Sequence, residues 1–208
     1  MTWIHFVNLE GTLLHAFYQS KIVFIHIPKT AGVSILKAIY GDVSLESHRS
    51  FYFNKVVLNM KDDAYFTFSF IRNPLDRLYS TYNFLEKGGM NKHDEIAFKK
   101  YLSKFKDFED FVINGLNSNL IQEITHLKPQ HEYICDYKGK ILVDYIGRFE
   151  NLEDHVKILS KKINKQIILP HFNKNEKGND SFTVYTTEMV QKVKSIYKDD
   201  FELLDYRC

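Results

Sequence analysis

Apolar residues are spread along the chain with two different periods. Residues 21–27, KIVFIHI, and 64–71, AYFTFSFI, are near-continuous runs of β-branched and aromatic side chains, as expected of strands buried on both faces. Residues 141–146 form a shorter run of the same kind, and 56–60 and 167–169 are brief apolar segments. Elsewhere the apolar positions recur at helical spacing. Ile35, Leu36 and Ile39 share one face over 32–40, closed by Gly41, and Val190, Val193, Ile196 and Tyr197 share another over 187–204. Residues 83–119 are helical and amphipathic, broken at Gly88-Gly89, with helices expected near 95–105 and 108–116; a further helix runs to about Ile163. This alternation predicts a single α/β domain over 1–208, with a central, mostly parallel sheet, helices on both faces and a helical insertion after the second long strand. Residues 1–20 predict an edge hairpin around Glu10-Gly11 or an extension ahead of the sheet.

The chemistry gathers where strands give way to helices. Pro28 stops the first strand because it has no N–H to donate, and Lys29-Thr30-Ala31-Gly32-Val33-Ser34 then turns into the helix. Gly32 is expected to let the backbone approach a ligand, with the free N–H groups of the helix start aimed at an anion. A plain strand-turn-helix with a solvated Lys29 is the alternative. At the end of the second strand stand Arg72, Pro74 at an early helical position, Arg77 and Ser80. Arg72 offers a planar fork suited to phosphate, whereas Arg77 reads as structural, paired with a surface carboxylate. Residues 42–54 are polar and predict a surface loop; within it His48 reads either as a solvated loop histidine or as a candidate base, and Arg49 as a candidate acceptor contact.

Composition narrows the field without choosing within it. A formal net charge of +2 over 208 residues excludes a general polyanion or nucleic-acid binder, so affinity for phosphate or sulfate must come from local clusters. The lysines at 99, 100, 104 and 106 read first as a solvated helix face and second as an acidic-glycan groove. No run reaches the ~18–20 apolar residues of a membrane span, and Cys135 and Cys208 read as reduced thiols. These features suggest a cytoplasmic, prokaryotic protein. His126 and His131 lack further ligands at a metal-site spacing, so no metal is expected.

The string HIPKTAGVS, 26–34, closely resembles the 5′-phosphosulfate loop of the carbohydrate sulfotransferases, and Arg72-Asn73-Pro74-Leu75-Asp76-Arg77-Leu78-Tyr79-Ser80 resembles their 3′-phosphate element. His126-Leu127-Lys128-Pro129-Gln130, the segment 146–152 (IGRFENL), the stretch 169–173 (LPHFN) and the closing segment 197–204 resemble further shared elements, so the likeness runs from about residue 21 to the end. It implies a P-loop-like fold and transfer of a sulfuryl group from 3′-phosphoadenosine 5′-phosphosulfate to a hydroxyl of a glycan or glycolipid. Lys29, Thr30, Ala31, Gly32, Val33 and Ser34 would hold the phosphosulfate, Arg72 and Ser80 the 3′-phosphate, and Lys177 would help from a later loop. Lys29 and His48 would be catalytic, with His126 or Glu46 as substitute bases. His126, Gln130 and Arg49 would line the acceptor cleft. Gly147 is expected to sharpen a strand exit and Asn151 to cap the helix after it. A P-loop nucleotide kinase is the first rival, lacking here the Gly-Lys-Ser/Thr turn and a metal-binding carboxylate. A catalytically silent nucleotide- or glycan-binding protein of the same fold is the second.

Overall fold

The computed structural model describes residues 10–44, 48–61, 64–169 and 181–207. In chain order the main elements are α1 (Leu13–Ser20), β1 (Ile22–Ile25), α2 (Gly32–Tyr40), α3 (Phe51–Val57), β2 (Phe66–Ile71), α4 (Pro74–Glu86), α5 (Lys92–Ala97), β3 (Tyr145–Arg148), α6 (Leu152–Lys162), α7 (Thr187–Ile196) and α8 (Lys198–Leu203), with shorter helical turns between them. They divide into two compact units, Met1–Ile71 with Glu132–Phe172 and Arg72–His131 with Asn173–Cys208.

The first unit carries the sheet. Its order is β1-β2-β3 and both pairings are parallel, with Ile22 opposite Phe66, Ile25 opposite Ser69, Phe68 opposite Tyr145 and Ile71 opposite Arg148. The β-branched and aromatic runs are buried as their composition requires: Val23, Phe24, Ile25, Phe68, Phe70 and Ile71 are all almost wholly inaccessible. Ser69, the one hydroxyl in the centre of β2, is satisfied by donating to Ile25 O at 2.7 Å. The run 141–146 enters the sheet only at its end, because Leu142 N donates to Ile134 O at 2.8 Å and Ile141 pairs antiparallel with Cys135. Asp144 then fixes the register: its Oδ2 accepts from both the N–H and the hydroxyl of Thr67, each at 2.7 Å.

Two segments of this unit differ from expectation. Where a hairpin was one reading, residues 13–20 are the helix α1, capped by Thr12 and burying Leu13, Leu14 and Phe17 at helical spacing. The polar loop 42–54 closes early, since Ser50 accepts from Phe53 N and starts α3, which absorbs part of the apolar segment 56–60. Asn151 precedes α6 without a side-chain cap, and Gly147 lies within β3 rather than beyond it.

The second unit is built around α4. Asn73 accepts from Leu75 N at 2.9 Å and Pro74 takes the first helical position, as its fixed φ favours. Leu75, Leu78, Tyr82 and Leu85 make the buried stripe, packed in one core with Phe108, Phe111, Val112, Met189 and Val193. The expected helices near 95–105 and 108–116 each pass into a π-helical turn, Phe98–Leu102 and Phe111–Gly115. The segment 187–204 breaks at Tyr197, a buried residue whose hydroxyl donates to Leu127 O at 2.7 Å. Tyr185 donates to Leu75 O at 2.9 Å, and burial, with smaller contributions from Tyr197 and Asp76, holds its phenol well above the ordinary range. Lys99 pairs with Glu95, and Lys100 and Lys104 lie over the neighbouring rings of Tyr101 and Phe105, a solvated face with local partners.

Arg77 corrects the expectation of a surface ion pair. It is 2% exposed, its Nη1 donates to His126 O at 3.0 Å and its Nη2 to Lys128 O at 2.8 Å. The guanidinium carbon lies 5.7 Å from the centre of the Tyr197 ring. One arginine therefore staples the segment 126–128 to α4 through carbonyls. Arg77→Ala takes the charged donor from both carbonyls, leaving His126 O only the Thr81 hydroxyl, and should cost about 3 kcal/mol in urea unfolding, with Arg77→Lys recovering less than half. A loss below about 1 kcal/mol would show that the staple is dispensable.

Candidate active site

The turn after β1 is shaped by strain and by one close approach. Ile27 and Thr30 are fully buried, and the Thr30 hydroxyl donates to Ile27 O at 2.8 Å, tying the turn to itself. Lys29 and Ala31 both take φ of 67°, while Thr30 between them does not. Each left-handed non-glycine residue costs about 1 kcal/mol, and such alternation turns successive N–H groups toward one side. Ala31 is the N-cap of α2 and makes no side-chain cap bond, so the first-turn N–H groups of that helix are left to whatever the loop holds. Lys29 is half-buried beside them, and Val33 and Ser34 are half-buried in the first turn. The arrangement fits an anion of several oxygens.

Two residues of this loop act differently from their expected roles. Thr30 was expected to present its hydroxyl to the phosphosulfate; that hydroxyl is buried and committed to Ile27 O, leaving only its N–H for a ligand. Gly32 has no left-handed φ, and a Cβ there would come within 1.9 Å of the His26 ring. The glycine is needed as a seat for His26.

His26 also governs His48. His48 Nδ1 lies 3.0 Å from His26 O, and the two rings are 4.3 Å apart and inclined at 60°. Only a protonated Nδ1 can donate to a carbonyl, so the neutral ring carries its lone pair on Nε2. That is the tautomer a proton acceptor requires. The turn after β1 and His48 are thus joined through His26, all within the first unit. Arg49 follows with its guanidinium over the Phe53 ring at 4.6 Å, and lines a small cleft with His26, Phe24, Phe17, Leu13, Leu14 and Asn54. Glu46 and Lys177 lie outside the described residues.

The remaining candidates belong to the second unit. Arg72 follows the last residue of β2 and is 8% exposed. Ser80 is half-buried on α4, almost two turns beyond the Asn73 cap. Gln130, expected to touch an acceptor, is fully buried; its Oε1 accepts from Arg72 N at 2.9 Å and its Nε2 donates to Arg72 O at 2.8 Å. It sits behind the arginine, not in a cleft. His126 is also engaged, with Nδ1 3.6 Å from the buried carboxylate of Asp94, its ring 5.1 Å from that of Phe84, and its carbonyl accepting from Arg77 and Thr81. Neither His26, which stands at the head of the loop string, nor Asp200, in the closing segment 197–204, was singled out in the sequence. Among the described residues, no group of three His, Cys, Asp or Glu is placed to hold a metal, and no helix is long and apolar enough to cross a membrane.

Comparison with known proteins agrees with the geometry. The family model described as Sulfotransferase family matches residues 16–207. An uncharacterized protein of Archaeoglobus fulgidus is 27% identical over 101 residues, covering 49% of this chain and 69% of that protein. No solved structure matches.

The seat under His26 can be tested by pairing substitutions. Gly32→Ala should lower stability by about 1–3 kcal/mol through overpacking. Adding His26→Ala should recover at least half of that loss in urea unfolding, because the added methyl then meets no ring. Strictly additive losses would mean that the glycine serves something other than the histidine.

Proposed function

The chain belongs to the sulfotransferase family, and on that premise we propose that it moves a sulfuryl group from 3′-phosphoadenosine 5′-phosphosulfate to a hydroxyl of a sugar or glycan, free or on a lipid. The observation that carries this reading is the bond between His48 Nδ1 and His26 O at 3.0 Å, which leaves the basic nitrogen of His48 at Nε2 and ties that ring to His26, the residue packed over Gly32 of the loop. A phosphate-binding turn alone would suit many nucleotide enzymes. A tautomer-fixed histidine joined to it suits transfer to a hydroxyl.

The donor brings an activated sulfuryl group on a phosphate leaving group. The N–H groups at the start of α2 and the Lys29 ammonium meet the charge that develops on the departing phosphate, which is where fixed donors contribute most. Nε2 of His48 takes the proton of the acceptor hydroxyl as its oxygen bonds to sulfur. Arg72, with Ser80, holds the 3′-phosphate. Thr30 and His26 touch no reacting atom in this scheme; they keep the turn and the base in shape.

A thermal-shift titration with adenosine 3′,5′-bisphosphate should stabilise the wild-type protein, and Arg72→Ala should remove most of that shift. The absence of a wild-type shift would sink the donor assignment. Separately, His48→Ala should lower sulfate transfer to a panel of sugar acceptors by about 10²–10⁴-fold while leaving bisphosphate affinity within twofold. Near-normal transfer by that variant would move the base elsewhere.

A further inference from the structure

We propose that Gln130 and Asp200 are positioning residues that aim Arg72 at the 3′-phosphate of the nucleotide, so that the C-terminal helix α8 sets selectivity for a 3′-phosphorylated donor; this rests on the role given above to Arg72. Each step is a hydrogen bond between buried groups of one unit. Gln130, with no exposed surface, pairs with the backbone of Arg72 in both directions, Oε1 accepting from N–H at 2.9 Å and Nε2 donating to the carbonyl at 2.8 Å. Its side-chain amide therefore does for Arg72 what a neighbouring strand does for a residue within a sheet. Asp200 of α8, also with no exposed surface, holds Gln130 in turn: Oδ2 accepts from Gln130 N at 2.8 Å. Its Oδ1 accepts from His131 N at 2.9 Å and from His131 Nδ1 at 2.8 Å. The carboxylate is thus met by three N–H donors.

A packing role alone would not call for this chemistry. An apolar side chain fills a core position without demanding that every donor find an acceptor, and a buried amide and a buried carboxylate are each costly unless fully bonded. Here both are bonded, and the chain of bonds ends on the main chain of a residue whose side chain is a phosphate ligand. Arg77 adds to the same support by holding the carbonyls of His126 and Lys128 just ahead of Gln130. With its backbone pinned at N–H and carbonyl, Arg72 loses little freedom on binding, and the fork meets phosphate already directed.

The test compares two nucleotides that differ by the group in question, adenosine 3′,5′-bisphosphate and adenosine 5′-monophosphate, by calorimetric titration of the full chain. Gln130→Ala and Asp200→Asn should lower bisphosphate affinity about tenfold while changing monophosphate affinity less than twofold, so the selectivity ratio falls. Gln130→Glu, close in shape and keeping one acceptor for Arg72 N–H, provides a milder variant should the others fold poorly, and should lower the ratio in the same direction. In an Arg72→Ala background, Gln130→Ala should cost no further selectivity. Equal weakening of both nucleotides, or losses that add to that of Arg72→Ala, would overturn the positioning role. A wild-type ratio that Arg72→Ala leaves unchanged would overturn the donor assignment and this proposal with it, an outcome separable from the first because it does not involve Gln130.

Discussion

In the first unit the decisive constraint is the absence of a Cβ at two positions where a ring must lie. A methyl on Gly32 would stand 1.9 Å from His26, and one on Gly147 would stand 2.3 Å from Phe70. Neither glycine has a left-handed φ, so the usual conformational reason for glycine is not at work. What each permits is contact between an aromatic face and bare backbone. At Gly147 the contact lets Phe70 of β2 pack against β3, and at Gly32 it lets His26 bring its carbonyl to His48 while closing the floor of the turn. The loop's unusual φ angles fall instead on Lys29 and Ala31, residues that pay for them sterically.

The second unit reaches rigidity by a different route, through buried polar groups that are nearly all bonded. Arg77, Gln130 and Asp200 are each almost wholly removed from water, and they bond main-chain groups of the segment 126–131 or of Arg72, Asp200 bonding the His131 ring as well. This segment has only short helical turns and would otherwise expose its carbonyls to the core. An apolar replacement could fill the same space, but it would leave several backbone groups without partners. The bonds therefore specify one conformation of an irregular segment more than they add net stability.

Much of this was legible in the sequence, and the gaps have physical causes. The strand runs 21–27 and 64–71, the helix 32–40 with its end at Gly41 and the Pro74 helix start all follow from local pattern. Residues 13–20 were harder because a turn signal at Glu10-Gly11 sits beside a helix of only two turns, where three buried residues decide and propensity does not. The chemical types were also readable one by one, a lysine and a histidine in the first unit and an arginine just past β2 in the second. Their supports were not. Gln130 looked like a cleft ligand because a glutamine in a loop ordinarily is one, and only partners distant in sequence make its burial tolerable, the Arg72 backbone for its amide and Asp200 for its N–H. Such long-range satisfaction of polar groups leaves no periodic trace in the chain.

On the proposed reading, the loop and the arginine segment meet two requirements of anion binding in different ways. An anion site needs donors that the protein has not already satisfied, yet those donors must not wander. At α2 the donors stay open because Ala31 offers no cap, and they stay in place because Thr30 ties the turn to Ile27 O while His26 covers Gly32. The cost is two left-handed residues, about 2 kcal/mol in all, which an anion bound as proposed would offset through the helix-start N–H groups. At Arg72 the backbone N–H and carbonyl are both bonded by Gln130, so on the proposed reading a ligand would engage the side chain rather than the main chain. If those roles hold, relaxing the loop would loosen what keeps its N–H donors open, whereas removing bonds behind Arg72 would loosen only its aim.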